Sequence, residues 1–441
     1  MNDPVIVQVA LPVPLPDIFD YLPGPQNTQV GGRVLVPFGK RKMVGIVAGM
    51  TAKSEMAPER LQSVEQVFDK GEALLDPALI GLLRWCWQYY KHAPGEVVAS
   101  ALPPALRSAK GRLPEPPQQY RLTAAGRERL KEPPGRARVQ FAMLEAMREL
   151  PALPERLASI GSQWRKTLSA LTAQGWVEAE PQPPLRADPS PGPELTPEQA
   201  AAVSAIAAAP KGFSCHLLDG VTGSGKTEVY MCLLEQALAG GGQALVLVPE
   251  IGLTPQLLRR FTRRLGLEPA VIHSGLSAGE RLAAWESVRT GRAPLLVGTR
   301  SALFTPMPGL EMIILDEEHD ASFKQQDGFR YSARDVAVKR AADLGIPVIL
   351  GSATPSLESL KNAVDGRYAW HRLRERATRA TLPSWRVLDM RQLRTFFGLT
   401  PSALESIEYT LGRGEQVMVF LNRRGYAPVL MCQSCGWFGH C

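Results

Sequence analysis

One octapeptide constrains this 441-residue chain more than any other feature: GVTGSGKT, at residues 220–227. It follows the apolar run HLLD and opens EVYMCLLEQAL, whose apolar residues recur at helical spacing. A G-x-x-x-x-G-K-[ST] run between a strand and a helix suits a phosphate, because glycines bring backbone N–H groups close and the helix N-terminus adds a positive dipole end. Gly220, Gly223, Ser224 and Gly225 then form a cradle, Lys226 reaches the β- and γ-phosphates of ATP, and Thr227 ligates Mg²⁺. Such a loop belongs in a parallel sheet. From residue 198 onward SCHLLDG, ALVLVPE, PAVIHS, PLLVGT, MIILDE and PVILGSA alternate with helical stretches, which predicts a doubly wound α/β domain with strands buried on both faces.

A second part of the site follows from MIILDEEH, residues 312–319. An apolar strand carries Asp316 to its carboxyl end, where ligands bind in open α/β sheets. Asp316 is placed to hold Mg²⁺, and Glu317 to orient and deprotonate an attacking water. Taken alone, His319 is a polar neighbour, and Ser352 and Thr354 in GSATPS are a polar strand end.

Around this core the chain divides at its prolines. At roughly 150 residues per domain, the length suits about three domains. Seven prolines lie in 181–197 and another cluster in 103–117, both read as extended connectors. Residues 1–102 open with VIVQVAL, GGRVLVPFG and MVGIVAGM, the marks of a small β-rich module. Residues 119–180 read as helix, turn, helix and strand, with Arg165 and Lys166 early on the second helix; a winged helix and a plain helical spacer both fit. Residues 198–412 form the nucleotide-binding lobe, and 413–441 begin a further region.

Composition narrows the partners. The net charge of +7 favours a polyanion, while 45% hydrophobic and 21% charged residues exclude wholesale disorder. Six cysteines in such a length argue against a secreted disulfide framework, and no run approaches the 18 or so apolar residues of a membrane span, so the expectation is a soluble cytoplasmic protein with no membrane partner. Residues 323–331, FKQQDGFRY, interleave aromatic and basic side chains. That mixture suits an exposed loop in which Phe323, Phe329 and Tyr331 stack on unpaired bases while Lys324 and Arg330 meet phosphates. The tail places Cys432, Cys435 and Cys441 as three thiolates suited to Zn²⁺, with His440 as an improvised fourth ligand.

In order, GVTGSGKT, VPEIGLTPQ, VGTRSALF, DEEHDASFKQQDGFRY, GSATPS and FLNRRGY resemble the primosomal replication-restart helicases, a family of superfamily 2 DNA helicases. ALPVPLPDIFDYLP, VPFGK and CQSCGWFGHC extend the resemblance over nearly the whole chain. It implies a RecA-like first motor lobe, a winged helix at 119–180, and zinc-binding and second-lobe residues starting at 413–441. It implies too that Gln199 reads adenine, that Thr299 and Arg300 contact the tracked strand, and that His319, Ser352 and Thr354 couple hydrolysis to strand separation. The 323–331 loop would report DNA occupancy to the ATP site. Phe19, Asp20, Gly39 and Lys40 would form a pocket for a nascent 3′ end, with Gln62 where the family has a basic residue. A carboxylate repels phosphate, so Asp20 suits such a pocket only as an acceptor from a terminal hydroxyl; by its residues alone it is a turn acid.

The implied activity is ATP-dependent 3′→5′ unwinding at stalled or abandoned replication forks, followed by primosome reassembly. The implied partners are branched fork DNA, single-stranded DNA, other primosome proteins, single-stranded DNA-binding protein and the replicative helicase loader. Two alternatives are a double-stranded DNA translocase and a fork-binding assembly module with an idle ATPase. The missing second-lobe motifs imply that these residues alone hydrolyse ATP weakly.

Overall fold

The computed structural model of the chain describes residues 5–115, 117–134, 137–182, 188–249, 252, 254–377, 384–389, 395–396 and 398–420. Residues 1–379 form one compact unit and 380–441 a second.

The three opening apolar runs become strands, joined by two the sequence reading does not contain: β1 (Ile6–Ala10), β2 (Phe19–Tyr21), β3 (Arg33–Phe38), β4 (Arg41–Thr51) and β5 (Gln66–Val67). They pair antiparallel in the order β2-β1-β4-β3-β5. β3 and β4 turn on Gly39 and Lys40 alone, and Gly39 takes a left-handed φ of 57°. Leu22, just after β2, exchanges backbone hydrogen bonds with Gln62 and Val64, just before β5, so the sheet's two edges meet. Val7, Val9, Tyr21, Val34, Val36 and Val47 fill the space enclosed. Arg33 alternates to the other face, fully buried, and donates to both oxygens of Asp69 at 2.7 and 2.8 Å and to the Leu106 carbonyl at 2.7 Å. It ties the sheet to the segment that follows α1 (Pro77–Tyr89) and α2 (Pro94–Ser100).

Next come β6 (Gln118–Leu122), α3 (Ala124–Lys131), α4 (Arg138–Ala146), α5 (Pro154–Ala158), α6 (Trp164–Ala173) and β7 (Val177–Pro181), with β6 and β7 antiparallel. The sequence reading expects two helices joined by a turn; the joint itself holds α5. Pro154 presets the first helical φ there, and Leu157 is buried with Met143, Leu168 and Leu171. Arg165 and Lys166 stand exposed in the first turn of α6.

The nucleotide-binding lobe runs α7 (Pro197–Ala207), β8 (Ser214–Gly220), α8 (Lys226–Ala239), β9 (Gln243–Leu247), α9 (Pro255–Leu265), β10 (Ala270–Ile272), α10 (Ala278–Arg289), β11 (Leu295–Gly298), β12 (Leu310–Asp316), α11 (Ala333–Leu344), β13 (Pro347–Ser352), α12 (Leu357–Val364) and β14 (Ala369–Leu373). Seven parallel strands lie in the order β10-β11-β9-β12-β13-β8-β14. The six apolar runs are the six inner and leading strands; β14 goes unread because an edge strand, paired on one side, tolerates the polar AWHRL. One sheet face, with Leu218, Val246, Ile314 and Ile349, packs on α7, α8 and α9 through Val203, Val229 and Phe261. The other, with Leu217, Leu245, Ile313 and Leu350, shares a core with Leu79 and Leu83 of α1. The N-terminal module is therefore docked on the seven-stranded domain: Trp285 Nε1 donates to the Ala101 carbonyl at 3.0 Å, and Arg289 to Glu72 at 2.7 Å. In the second unit, α13 (Pro401–Gly412) is capped by Thr400. Among the described residues no helix is long and apolar enough to cross a membrane.

A histidine pair, with His216 buried and His371 half-buried, sits between β8 and β14. His216 Nδ1 is 3.1 Å from His371 Nε2, and His216 Nε2 is 3.0 Å from the Ser214 hydroxyl. Burial first, and the neighbouring His371 second, push the His216 pKa down from 6.5 to about 4. The unfolded chain thus takes up the proton first, so the stabilisation is complete above about pH 6.5 and is lost as pH falls towards 4. Urea unfolding is expected to lose on the order of 3 kcal/mol across that window. His216→Leu should flatten the slope, and a wild-type profile already flat there contradicts the assignment.

Candidate nucleotide site and nucleic-acid interface

Parallel strands deliver all their carboxyl ends to one edge of the sheet. Register does the rest: Leu218 of β8 pairs with Gly351 of β13, which pairs with Asp316 of β12, so the phosphate loop and the acidic motif come together across a single strand. Within the loop, Gly223 and Gly225 have left-handed φ values of 82° and 80°. A Cβ at Gly225 would stand 2.3 Å from the Gln199 amide nitrogen, and one at Gly220 2.5 Å from the Ser224 hydroxyl. Gln199, nearly fully buried, donates to the Ser224 carbonyl at 2.7 Å and accepts from the Thr196 backbone at 2.9 Å. Its amide braces the loop and caps its own helix.

Lys226 is buried, with Nζ donating to the Gly220 carbonyl at 3.0 Å and lying 3.7 Å from Glu317. Thr227 follows, half-buried on the first turn of α8. The Ser224 hydroxyl is buried without a partner. An ammonium, two hydroxyls and the Asp316 carboxylate around a glycine cradle fit a nucleotide phosphate with Mg²⁺: Lys226 and the loop would hold the phosphates, and Thr227 and Asp316 the metal.

The acidic motif is held by residues that the sequence reading does not single out. Tyr230, fully enclosed on α8, donates its hydroxyl to Asp316 Oδ1 at 2.9 Å. Burial pushes the Asp316 pKa up from its ordinary value, and the Tyr230 hydrogen bond opposes the rise. Glu317 adopts a left-handed φ of 50°, a conformation that costs a β-carbon residue about 1–3 kcal/mol and needs support from its surroundings. Glu318 gives that support. Its N–H donates to the Gly351 carbonyl at 2.9 Å, and its buried carboxylate accepts from the Ser356 N–H at 2.7 Å, the Ser359 hydroxyl at 3.0 Å and Arg334 at 3.2 Å. His319 Nδ1 is hydrogen-bonded to the Ser352 hydroxyl at 2.7 Å, and that same hydroxyl accepts from the Thr354 N–H at 3.0 Å. The three residues named for coupling are thus in one chain of contacts.

Thr299 and Arg300 begin at the end of β11 and line a cleft of about 410 Å³ with Ser274, Arg281, Ser301, Ser322 and Gln325. Arg300 donates to the Ser322 carbonyl at 2.7 Å. Arg281 is a second guanidinium here that motif reading does not find.

The 323–331 segment corrects its sequence reading. Phe323, Phe329 and Tyr331 are buried, not presented to solvent. Phe329 stacks on Tyr331 and His92 and meets Tyr90 edge-on at 5.7 Å, while Tyr331 packs on Phe304. Bases cannot stack on ring faces already covered; Tyr90 and His92, just past α1, and Phe304, after β11, supply covering rings. Of the five residues named for DNA contact here, Lys324 and Arg330 remain exposed, with Lys324 5.5 Å over the Tyr90 ring.

In the N-terminal module, Phe19 packs edge-on against Phe38 at 5.0 Å, beside the exposed Gly39-Lys40 turn. Asp20 alternates to the opposite face of β2, where the Ser54 hydroxyl donates to it at 2.6 Å and Gln8 at 3.4 Å. Of the four residues expected to form a 3′-end pocket, Phe19, Gly39 and Lys40 thus lie together and the Asp20 side chain faces away from them. Cys432, Cys435, His440 and Cys441 lie outside the described residues.

Comparison with known proteins adds names to this geometry. Residues 8–103 match the 3′ DNA-binding domain family, and residues 196–363 match the DEAD/DEAH box helicase family. Replication restart protein PriA of Haemophilus influenzae is 42% identical over 450 residues, covering 99% of this chain and 61% of that protein. PriA of Synechocystis sp. is 35% identical over 540 residues, covering 100% and 64% respectively. PriA of Bacillus subtilis is 46% identical over 230 residues, covering 51% and 28%. The chain spans less than two thirds of the length of these curated relatives.

Proposed function

The chain belongs to the family of replication restart protein PriA, and from that premise we propose that it is the nucleotide-binding and fork-binding part of an ATP-dependent DNA helicase. It unwinds 3′→5′, engages stalled or abandoned forks and starts primosome reassembly. The observation that carries this reading is the convergence of Lys226, Asp316 and the Thr299–Arg300 cleft on one edge of one sheet. ATP turnover and a backbone-binding cleft thus occupy separate surfaces along the carboxyl edge of one sheet.

Fork DNA, single-stranded DNA, single-stranded DNA-binding protein, primosome proteins and the helicase loader are its partners, in the cytoplasm with the nucleoid. The cysteine tail contributes zinc ligands. Glu317 polarises the attacking water, and the His319–Ser352–Thr354 contacts relay the state of the nucleotide.

Recognition of a nascent 3′ end falls to the module of residues 8–103. Asp20→Ala is expected to weaken binding to forks with a free 3′-hydroxyl and to leave forks with a 3′-phosphate nearly unaffected. A charged acceptor contributes about 1.5–3 kcal/mol to such a hydrogen bond, and the same charge repels a terminal phosphate. Binding isotherms for both ends at one salt concentration read the difference. If wild type and variant discriminate the two ends equally, Asp20 only holds Ser54 and Gln8, and the 3′-end pocket lies elsewhere. Unwinding of 5′-tailed and not 3′-tailed duplexes would reverse the polarity.

A further inference from the structure

We propose that Tyr230 is a positioning residue that aims Asp316 at the metal accompanying the nucleotide, an inference that rests on the nucleotide-site reading above. Tyr230 lies on α8, three residues beyond Thr227, with its ring enclosed and its hydroxyl 2.9 Å from Asp316 Oδ1. A carboxylate has two oxygens and a soft terminal torsion. Committing Oδ1 to a rigid phenol fixes that torsion and assigns Oδ2 as the oxygen that would ligate the metal. Hydrogen-bonded partners of this kind orient metal-ligating carboxylates, and their loss typically weakens metal binding.

Packing alone does not explain this tyrosine. A buried hydroxyl is costly unless it is bonded, so a residue chosen only for volume would be phenylalanine. Gly351 supplies the independent observation. It stands beside Asp316 in the β12–β13 register, and its φ is not in the left-handed region, so its backbone does not require glycine. A Cβ at 351 would lie 1.6 Å from the Tyr230 hydroxyl, and the next two nearest atoms also belong to Tyr230. The absent side chain makes room for the phenol and for nothing else within that reach. Tyr230 and Gly351 are thus a complementary pair, far apart in sequence, whose joint product is one hydrogen bond on Asp316.

The test is a titration of fluorescent ADP against the full chain at varied Mg²⁺, with a parallel titration in EDTA. Tyr230→Phe is expected to raise the Mg²⁺ midpoint about tenfold, with the affinity in EDTA moving less than about twofold. Gly351→Ala should raise the midpoint similarly in the wild-type background and add little in the Tyr230→Phe background, the non-additivity of two changes acting through one contact. An unchanged midpoint in Tyr230→Phe overturns the proposal. So does a loss of ADP affinity that is equal with and without Mg²⁺, since that marks a merely structural tyrosine. If ADP binding by the wild-type chain ignores Mg²⁺ altogether, the nucleotide-site reading fails and takes the inference with it.

Discussion

Lys226→Ala is expected to slow DNA-stimulated phosphate release about 10²–10³-fold while leaving affinity for forked DNA nearly intact. The ammonium is buried at the floor of the phosphate loop, where it donates to the Gly220 carbonyl and faces Glu317 at 3.7 Å. With a nucleotide present it becomes a fixed positive charge in a dry site, where one well-placed donor counts for far more than in water. Arg300, Lys324 and Arg330, the residues proposed to meet DNA, lie by contrast in a cleft and a loop that Lys226 does not line. Single-turnover phosphate release and equilibrium DNA binding, measured separately, resolve the two surfaces. Equal loss of both activities would mean that the loop and the DNA surface are not separable.

The second large effect concerns folding. Arg33→Met is expected to destabilise the chain by about 3–5 kcal/mol, the usual result of removing one partner of a buried ion pair. Arg33 has no exposed surface and the Asp69 side chain only 5%, so the substitution strands a carboxylate in the interior. It also strips a donor from the Leu106 carbonyl. Arg33→Met with Asp69→Asn should recover part of the loss, because the stranded charge is then gone. Urea denaturation followed through the N-terminal module measures both. A single-variant loss below about 1 kcal/mol would place Arg33 among ordinary surface pairs.

Much of the motor could be read from the chain because its signals are local. A buried parallel strand is a continuous apolar run, and a phosphate loop is a contiguous string between a strand and a helix, so the α/β class and Gly220 to Thr227 were legible without coordinates. Asp316 was legible for the same reason, at the end of its own strand. What escaped were pairings between distant segments. Nothing near Tyr230 announces Asp316, and nothing near Gly351 announces Tyr230. Glu318 looked like one more acid in a row until Ser356, Ser359 and Arg334 closed around it. The aromatics of 323–331 were misjudged because interleaved charge marks an exposed loop only when no other segment covers the rings, and here Tyr90 and His92 do. Short strands such as β2 and β5 carry too few residues to show a period, and the closure through Gln62 is a matter of backbone hydrogen bonds alone.

The central claim is that one sheet edge couples ATP turnover to DNA. It is tested most directly by single-turnover phosphate release from the wild-type chain, with and without a 3′-tailed fork at saturating concentration. The account predicts that the rate rises with DNA and that the rise is lost when Mg²⁺ is removed. A rate that is the same with and without the fork would contradict it.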